Sequence, residues 1–291
     1  MELGKVGIWS GEFRSKQAGD AGDAAAEIEG LGYGALWIPG GAGGDIFGAV
    51  TRALDATRSL PVATGILNVW MHDPSEVAAE HARISAGHPA RFLLGLGVSH
   101  AMAVEATGRS YERPRSVMVD FLDELDAAKI PVGKEDRVLA ALAPKMLELA
   151  RDRSAGAHPY LTTPEHTGWA RSVLGEGPLL APEQMVVLES DATAARAVAR
   201  ERLALYLQLP NYTNNMLRFG FTEADLADGG SDRLVDGHVA WGGIEAIAAR
   251  VREHLDAGAD HVCLQVLTGS RDRYPLAEWR ELAAILPGLQ T

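Results

Sequence analysis

One local pattern recurs along this chain: a helix-forming stretch, a glycine, then a short apolar run. "EIEGLGYGALWIP" (27–39) shows it near the start and "HLDAGADHVCLQV" (254–266) near the end. A glycine just past a helix takes the left-handed C-cap conformation without steric penalty. A short apolar run lacking polar alternation suits a strand buried on both faces of a parallel sheet. Such runs occur at Val6–Trp9, Ala35–Ile38, Leu60–Thr64, Phe92–Leu96, Val138–Leu142, Tyr160–Leu161, Met185–Leu188 and Val262–Val266. Helical patterns lie between them at Asp20–Glu29, Pro74–Ser85, Arg115–Ala128, Pro144–Asp152, Pro164–Leu174, Ala192–Leu207 and Ile244–Ala257. Asp73-Pro74 and Thr163-Pro164 each place a capping side chain before a proline at the first helical position. Eight β-then-α units predict an α/β fold, a single (β/α)8 barrel over residues 1–291, with 209–236 as an irregular insertion. A doubly wound open sheet carries the same local signature.

The chain has 291 residues, a length that one α/β barrel accommodates. Its formal net charge of -12 argues against a nucleic-acid backbone or an anionic membrane as partner. Cys263 is the single cysteine, which excludes an internal disulfide and fits a reducing compartment. The opening MELGKVGIWSGEFR lacks a long apolar segment, and no stretch reaches ~18 consecutive apolar residues. The expectation is a cytoplasmic protein acting on a small molecule.

In a (β/α)8 barrel the active site lies at the carboxyl ends of the strands. The first strand here runs into Trp9-Ser10-Gly11 and the second into Trp37-Ile38-Pro39-Gly40-Gly41. The third, "VATGILNVWMHDP" (62–74), ends in a glycine, an amide (Asn68), an indole (Trp70) and an imidazole (His72). The fourth ends "LGLGVSHAMA", the fifth "VLAALAPKM" and the sixth "GAHPYLTTPEHT". Indoles, imidazoles, small residues and one lysine at a single pole suit a flat aromatic ligand with an anionic tail. Small residues opening a helix leave backbone N–H groups free for an anion. Residue type alone leaves Trp9, Trp37 and Trp70 equally suited to a core, and His72 to helix capping.

Several common sites are missing. "IPGGAGGD" (38–45) lacks the Gly-Lys-Ser/Thr ending of a phosphate loop, and "GLGVSH" lacks the third glycine of a dinucleotide fingerprint. No HExxH, CxxC or paired histidine–carboxylate cluster predicts a metal, and no GxSxG predicts a serine hydrolase.

The stretch "TGILNVWMHDPSEVAAEHARISAGHPARFLLGLGVSHA" (64–101) resembles the core of bacterial luciferase-like flavin and deazaflavin oxidoreductases. The likeness continues through "RVLAALAPKMLELARDRSAGAHPYLTTPEHT" (137–167) and the closing "VAWGGIEAIAARVREHLDAGADHVCLQVL". It is most similar to an actinobacterial subgroup of coenzyme F420-dependent oxidoreductases. The resemblance implies a luciferase-like TIM barrel, the cofactor ring at the strands' carboxyl ends, and a cis Gly65-Ile66 peptide propping it, with Asn68 at the pocket's edge. It also implies cofactor contacts from Val98 and Ser99, a proton donor at His100, and a tail site from Ala141, Leu142, Ala143, Lys145 and the loop His158, Pro159, Tyr160 and Leu161. Trp9, Trp37 and Trp70 are then expected to edge the substrate pocket. Relatives often dimerise.

Two departures matter. Many deazaflavin relatives carry an Asp-His pair where this chain has Ile38-Pro39-Gly40-Gly41. The chain is also short between the fourth and fifth strands, so a reduced or absent lid is expected. The function expected is hydride transfer by F420; the alternatives are an FMN-dependent monooxygenase, a cofactor-binding barrel without turnover, or an unrelated phosphate-binding barrel.

Overall fold

The computed structural model describes residues 1–15, 20–41, 44–270 and 273–289; Ala42 and Gly43 of the second strand's glycine-rich end lie outside them. Among the described residues the strands are β1 Val6–Trp9, β2 Leu36–Ile38, β3 Val62–Thr64, β4 Leu67–Asn68, β5 Phe92–Gly97, β6 Arg137–Leu139, β7 Gly156–Ala157, β8 Leu179–Leu180, β9 Glu183–Val187, β10 Val239–Trp241 and β11 Val262–Val266. Every pairing between them is parallel. The sheet runs β10-β9-β11-β1-β2-β3-β5-β6-β7-β8, with β4 paired to β5.

The two ends of that order are joined through the chain itself. β8 and β9 are one extended segment interrupted at Ala181-Pro182, because proline cannot donate to a ladder. On one side the Ala181 and Glu183 N–H groups donate to Ala157 and Pro159 at 2.9 Å each. On the other, β9 pairs with β11 and the Cys263 N–H donates to Pro182 at 3.0 Å. With β8–β9 taken as one strand, β3–β4 as another, and β10 set aside as a short addition beside β9, eight strands close into the expected (β/α)8 barrel.

Alternate strand residues fill its interior: Trp9, Trp37, Ala63, Leu93, Val138, Ala181 and Cys263 form one buried cluster. The other strand faces pack against the surrounding helices in a second, larger cluster. Asp73 caps the helix Pro74–Gly87 by accepting from Ser75 and Glu76, and Thr163 caps Pro164–Leu174. None of the described helices is long and apolar enough to cross a membrane.

The structure corrects several expected elements. Tyr160–Leu161 is not a strand; the sixth barrel strand is Gly156–Ala157, whose small residues carry no apolar signal. Gly156 lies so close to β8 that a Cβ there would stand 1.9 Å from the Leu179 carbonyl oxygen. The fifth strand ends at Leu139, short of Leu142, and the short apolar run Val239–Trp241 forms a strand, β10, that was not expected. Residues 209–236 are largely helical, as Pro210–Arg218, Glu223–Leu226 and Asp232–His238. Thr222 closes a capping box with Asp225, and Ser231 caps the last helix. Short polar helices of this kind depend on caps rather than on apolar periodicity.

Between β3 and β4 the chain bulges at Gly65-Ile66, where the peptide is cis. The bulge is held from three neighbouring strands. Trp9 Nε1 donates to the Gly65 carbonyl at 2.9 Å, and the Gly40 N–H donates to the Ile66 carbonyl at 2.9 Å. Thr64 Oγ1 donates to the Gly95 carbonyl and accepts from the Gly95 N–H, each at 2.8 Å. The glycines of "LGLG" leave the room: a Cβ at Gly97 would stand 2.5 Å from Ile66 Cδ1, and one at Gly95 would stand 1.9 Å from the Thr64 carbonyl. Gly95→Ala should therefore lower unfolding stability by about 2–3 kcal/mol, read as a urea midpoint shift. A midpoint equal to wild type would show that β3 and β5 are not in this close contact.

Candidate functional site

A cavity of about 620 Å³ opens at the carboxyl ends of the strands, a size typical of small-molecule sites. The bulge forms part of its wall through Gly65 and Ile66, with Asn68, Gly97, Val98, Ser99 and His100 beside them. Ala140, Ala141, Leu142, Ala143 and Met146 continue the wall past β6, and His158 and Tyr160 past β7.

The loop carrying His100 is pinned from behind. Trp70 Nε1 donates to the Val98 carbonyl at 2.8 Å, and the Tyr111 hydroxyl donates to the Ser99 carbonyl at 3.2 Å. Ser99 takes a left-handed backbone, φ 56°, and His100 starts the short helix Ala101–Glu105. The His100 ring packs 5.3 Å from that of Tyr212, and its buried Nδ1 has no hydrogen-bond partner. Burial lowers its pKa, with the Asn211 side chain opposing. Ala103 and Tyr111 also line the cavity, so the expected reduced lid is a short helix and loop.

His158 carries a defined tautomer. Its Nδ1 lies 2.7 Å from the Ala181 carbonyl, which can only accept, so Nδ1 holds the proton and Nε2 a lone pair. Nε2 is buried without a partner, and a Cβ at Gly65 would stand 3.1 Å from it. The ring stacks on Trp37 at 4.3 Å, and burial pulls its pKa down to about 4. Trp37 Nε1 in turn donates to His261 Nε2 at 3.1 Å, while His261 Nδ1 donates to the Gly4 carbonyl.

Behind Tyr160 is a buried acid, Glu183, on β9. One oxygen accepts from the Leu161 N–H at 3.1 Å; the other has no partner. Burial raises its pKa to about 8, so it is largely protonated at neutral pH. The Tyr160 hydroxyl donates to Gln265 Oε1 at 2.7 Å and lies 2.8 Å from the Tyr206 hydroxyl.

Some expected site residues lie elsewhere. Trp37 is fully buried beneath His158 and Trp70 stands behind Val98, so neither edges the cavity. Lys145 is exposed near the start of the helix Pro144–Arg153 and off the wall. Pro159 and Leu161 are buried in the β7–β9 contact and act through their backbone on Glu183. The remaining expected residues converge on the cavity.

Tyr212, which the sequence also suggested for the pocket's edge, lines the wall, and the structure adds Glu12, Tyr111, Arg202, Tyr206, Asn211 and Gln265. Gln265 could have been found as a polar residue inside an apolar strand. Arg202 and Tyr206 share one face of the helix Ala192–Tyr206 by their i, i+4 spacing. The second strand's end has a structural reason for lacking an ionisable residue: a Cβ at Gly40 would stand 2.6 Å from the Ile66 carbonyl oxygen.

Residues 6–129 match the family model described as luciferase-like monooxygenase. An F420-dependent secondary alcohol dehydrogenase, solved with an F420–acetone adduct, is similar with TM-score 0.78 at 14% identity, covering 99% of this chain and 99% of that one. A coenzyme F420-dependent tetrahydromethanopterin reductase from Methanopyrus kandleri gives TM-score 0.71 at 14% identity, covering 99% and 100%. The FMN-bound oxygenating constituent of 3,6-diketocamphane monooxygenase from Pseudomonas putida gives 0.69 at 13%, covering 99% and 98%. At these identities the likeness establishes a shared fold.

Glu183 makes a pH signature. Its folded pKa, about 8, lies above the ordinary 4.5, so the unfolded chain loses this proton first as pH rises. Its contribution to stability is complete below about 4.5 and is lost towards 8. The melting temperature of Glu183→Gln should rise relative to wild type, by several degrees, between pH 5 and pH 8. Parallel melting curves across that window would place an ionised carboxylate at this position.

Proposed function

Because residues 6–129 match the luciferase-like monooxygenase family model, we propose that this chain is a coenzyme F420-dependent oxidoreductase. It would exchange hydride with a small organic substrate in the cytoplasm, as a single barrel able to pair with a second copy. The observation that carries this reading is the slot at the strand ends. Gly65, Ile66, Gly97, Val98 and Ser99 line it with small and apolar surface, and the neutral His158 ring stands beside Gly65. A small, apolar wall at a cavity of this size suits a flat heteroaromatic ring.

Gly65, Ile66, Asn68, Val98 and Ser99 would hold the ring, which when bound supplies a hydride at C5. Ala141, Leu142 and Ala143 lead into the helix Pro144–Arg153, where the Lys145 N–H opens an anion site for the tail. Lys145 itself would add a charge at the mouth.

His100 then moves the proton. It stands on the cavity wall with Nδ1 unpartnered, and its ring is fixed against Tyr212. Imidazole suits proton transfer near neutral pH. The lid residues Ala103 and Tyr111 limit water at this point.

An FMN-dependent monooxygenase is the second reading, favoured by the likeness to the FMN-bound Pseudomonas putida protein. A fluorescence titration of the purified protein with F420 and, separately, with FMN discriminates the two. Micromolar or tighter binding of F420 alone is expected. Preference for FMN would move the protein to the second reading, and binding of neither would remove both. His100→Ala should lower turnover ~10²–10⁴-fold with cofactor affinity little changed; wild-type turnover would exclude the proton-donor role.

A further inference from the structure

The cavity has a second pole, away from the helix that opens at Pro144. It is built where the helix after β9 meets the end of β11. Arg202 is the cavity's only arginine or lysine among the described residues, and no carboxylate among them stands within salt-bridge distance of it. Its neighbour Glu183 is a buried acid with raised proton affinity, so it leaves the guanidinium charge largely uncompensated.

Hydrogen-bond direction adds a second donor. The single Tyr160 hydroxyl proton goes to Gln265 Oε1, so the Tyr206 hydroxyl must donate to Tyr160. Gln265 has thereby used its acceptor on the protein, and the group it presents to the cavity is the amide NH2. Arg202 and the Gln265 amide are then the nitrogen donors of this pole, beside the Tyr160 and Tyr206 hydroxyls. Glu12, the other charged wall residue, follows β1 and accepts from Ser10 Oγ at 2.7 Å.

Aromatic rings surround this pole. Tyr160 lies 5.4 Å from both Trp9 and Tyr206 between ring centroids, and Tyr206 lies 5.1 Å from Tyr212. Such a wall favours a planar, apolar body.

We infer that this pole is a carboxylate subsite, where Arg202 and the Gln265 amide take the acid group of a planar apolar substrate held among Trp9, Tyr160, Tyr206 and Tyr212. The inference names the substrate class for the oxidoreductase read above and rests on that reading for its catalytic meaning. Arg202 is a specificity residue, reached by i, i+4 spacing from Tyr206 on one helix. Guanidinium binds carboxylate through paired donors, which a neutral amide substrate cannot exploit equally.

The test uses two probes of one shape, trans-cinnamate and trans-cinnamamide, titrated calorimetrically into the protein with and without saturating cofactor at pH 7.5. Cinnamate should bind roughly ten- to hundredfold tighter than the amide. Arg202→Gln should abolish that preference, Arg202→Lys should retain part of it, and F420 and FMN titrations should change less than about twofold in both variants. Arg202 is half-exposed, and matching melting curves confirm that the variants fold.

Equal affinity for the two probes, or binding of neither at millimolar concentration, overturns the inference. So does an Arg202→Gln variant that keeps the acid preference, or one that loses cofactor affinity tenfold instead, which would assign Arg202 to the cofactor's tail. If the acid preference holds while neither cofactor binds, the carboxylate subsite stands and the oxidoreductase reading fails.

Discussion

The contact between Ile66 and the two glycines of β5 is the constraint on which this site depends. Gly95 and Gly97 let the chain after β3 lean across β5, and a methyl group at either position would collide with it. Once that approach is made, the bulge is hydrogen-bonded by Trp9 of β1, Gly40 after β2 and, through Thr64, by β5 itself. The cavity wall is thus fixed by rigid elements rather than by a loop, which is how a site keeps its geometry before any ligand arrives. The same contact accounts for the glycine that ends β2. An ionisable side chain there would need the space occupied by the Ile66 carbonyl.

Below the bulge the barrel is polar yet nearly free of charge. His158, His166, His238, His254 and His261 are all buried with proton affinities reduced well below ordinary imidazole, and Glu183 is buried with its affinity raised. One cause covers both directions, since desolvation disfavours whichever form is charged. Carbonyl partners then fix which nitrogen carries each proton: Ala181 for His158, Leu142 for His166 and Gly4 for His261. His166 thereby also holds the Leu142 carbonyl of the cavity wall. Against this neutral interior Arg202 and Glu12, both only half-buried, are the charged side chains of the cavity wall among the described residues.

What could be read from the sequence was what is local. Glycine after helix and apolar run gave most barrel strands within a few residues, and Asp73-Pro74 and Thr163-Pro164 marked their helices. The strand ends at 65–68, 98–100 and 141–143 were recognisable because glycine, small residues and an imidazole break an apolar run there. The strand Gly156–Ala157 was not, since it is specified by the close approach of Leu179 and not by its own side chains. Trp37 and Trp70 were misplaced for a related reason: an indole at a strand end looks the same whether it faces the cavity or supports it from beneath. The Tyr160–Tyr206–Gln265 chain joins residues up to 105 positions apart. No local pattern could have announced it.

The support given by Trp70 and Tyr111 bears on how His100 can work. A proton donor must be oriented, yet a side-chain partner that fixed its Nδ1 would also alter its proton affinity and occupy a nitrogen. Here the main chain bears much of the orienting load, beside a side-chain contact from Asn211. Trp70 holds the Val98 carbonyl, Tyr111 holds that of Ser99, and Tyr212 limits the ring by contact alone. The imidazole is positioned without its buried nitrogen being used. The lone lid tyrosine therefore has two tasks, closing the cavity and setting the loop, and a longer lid is not required for either.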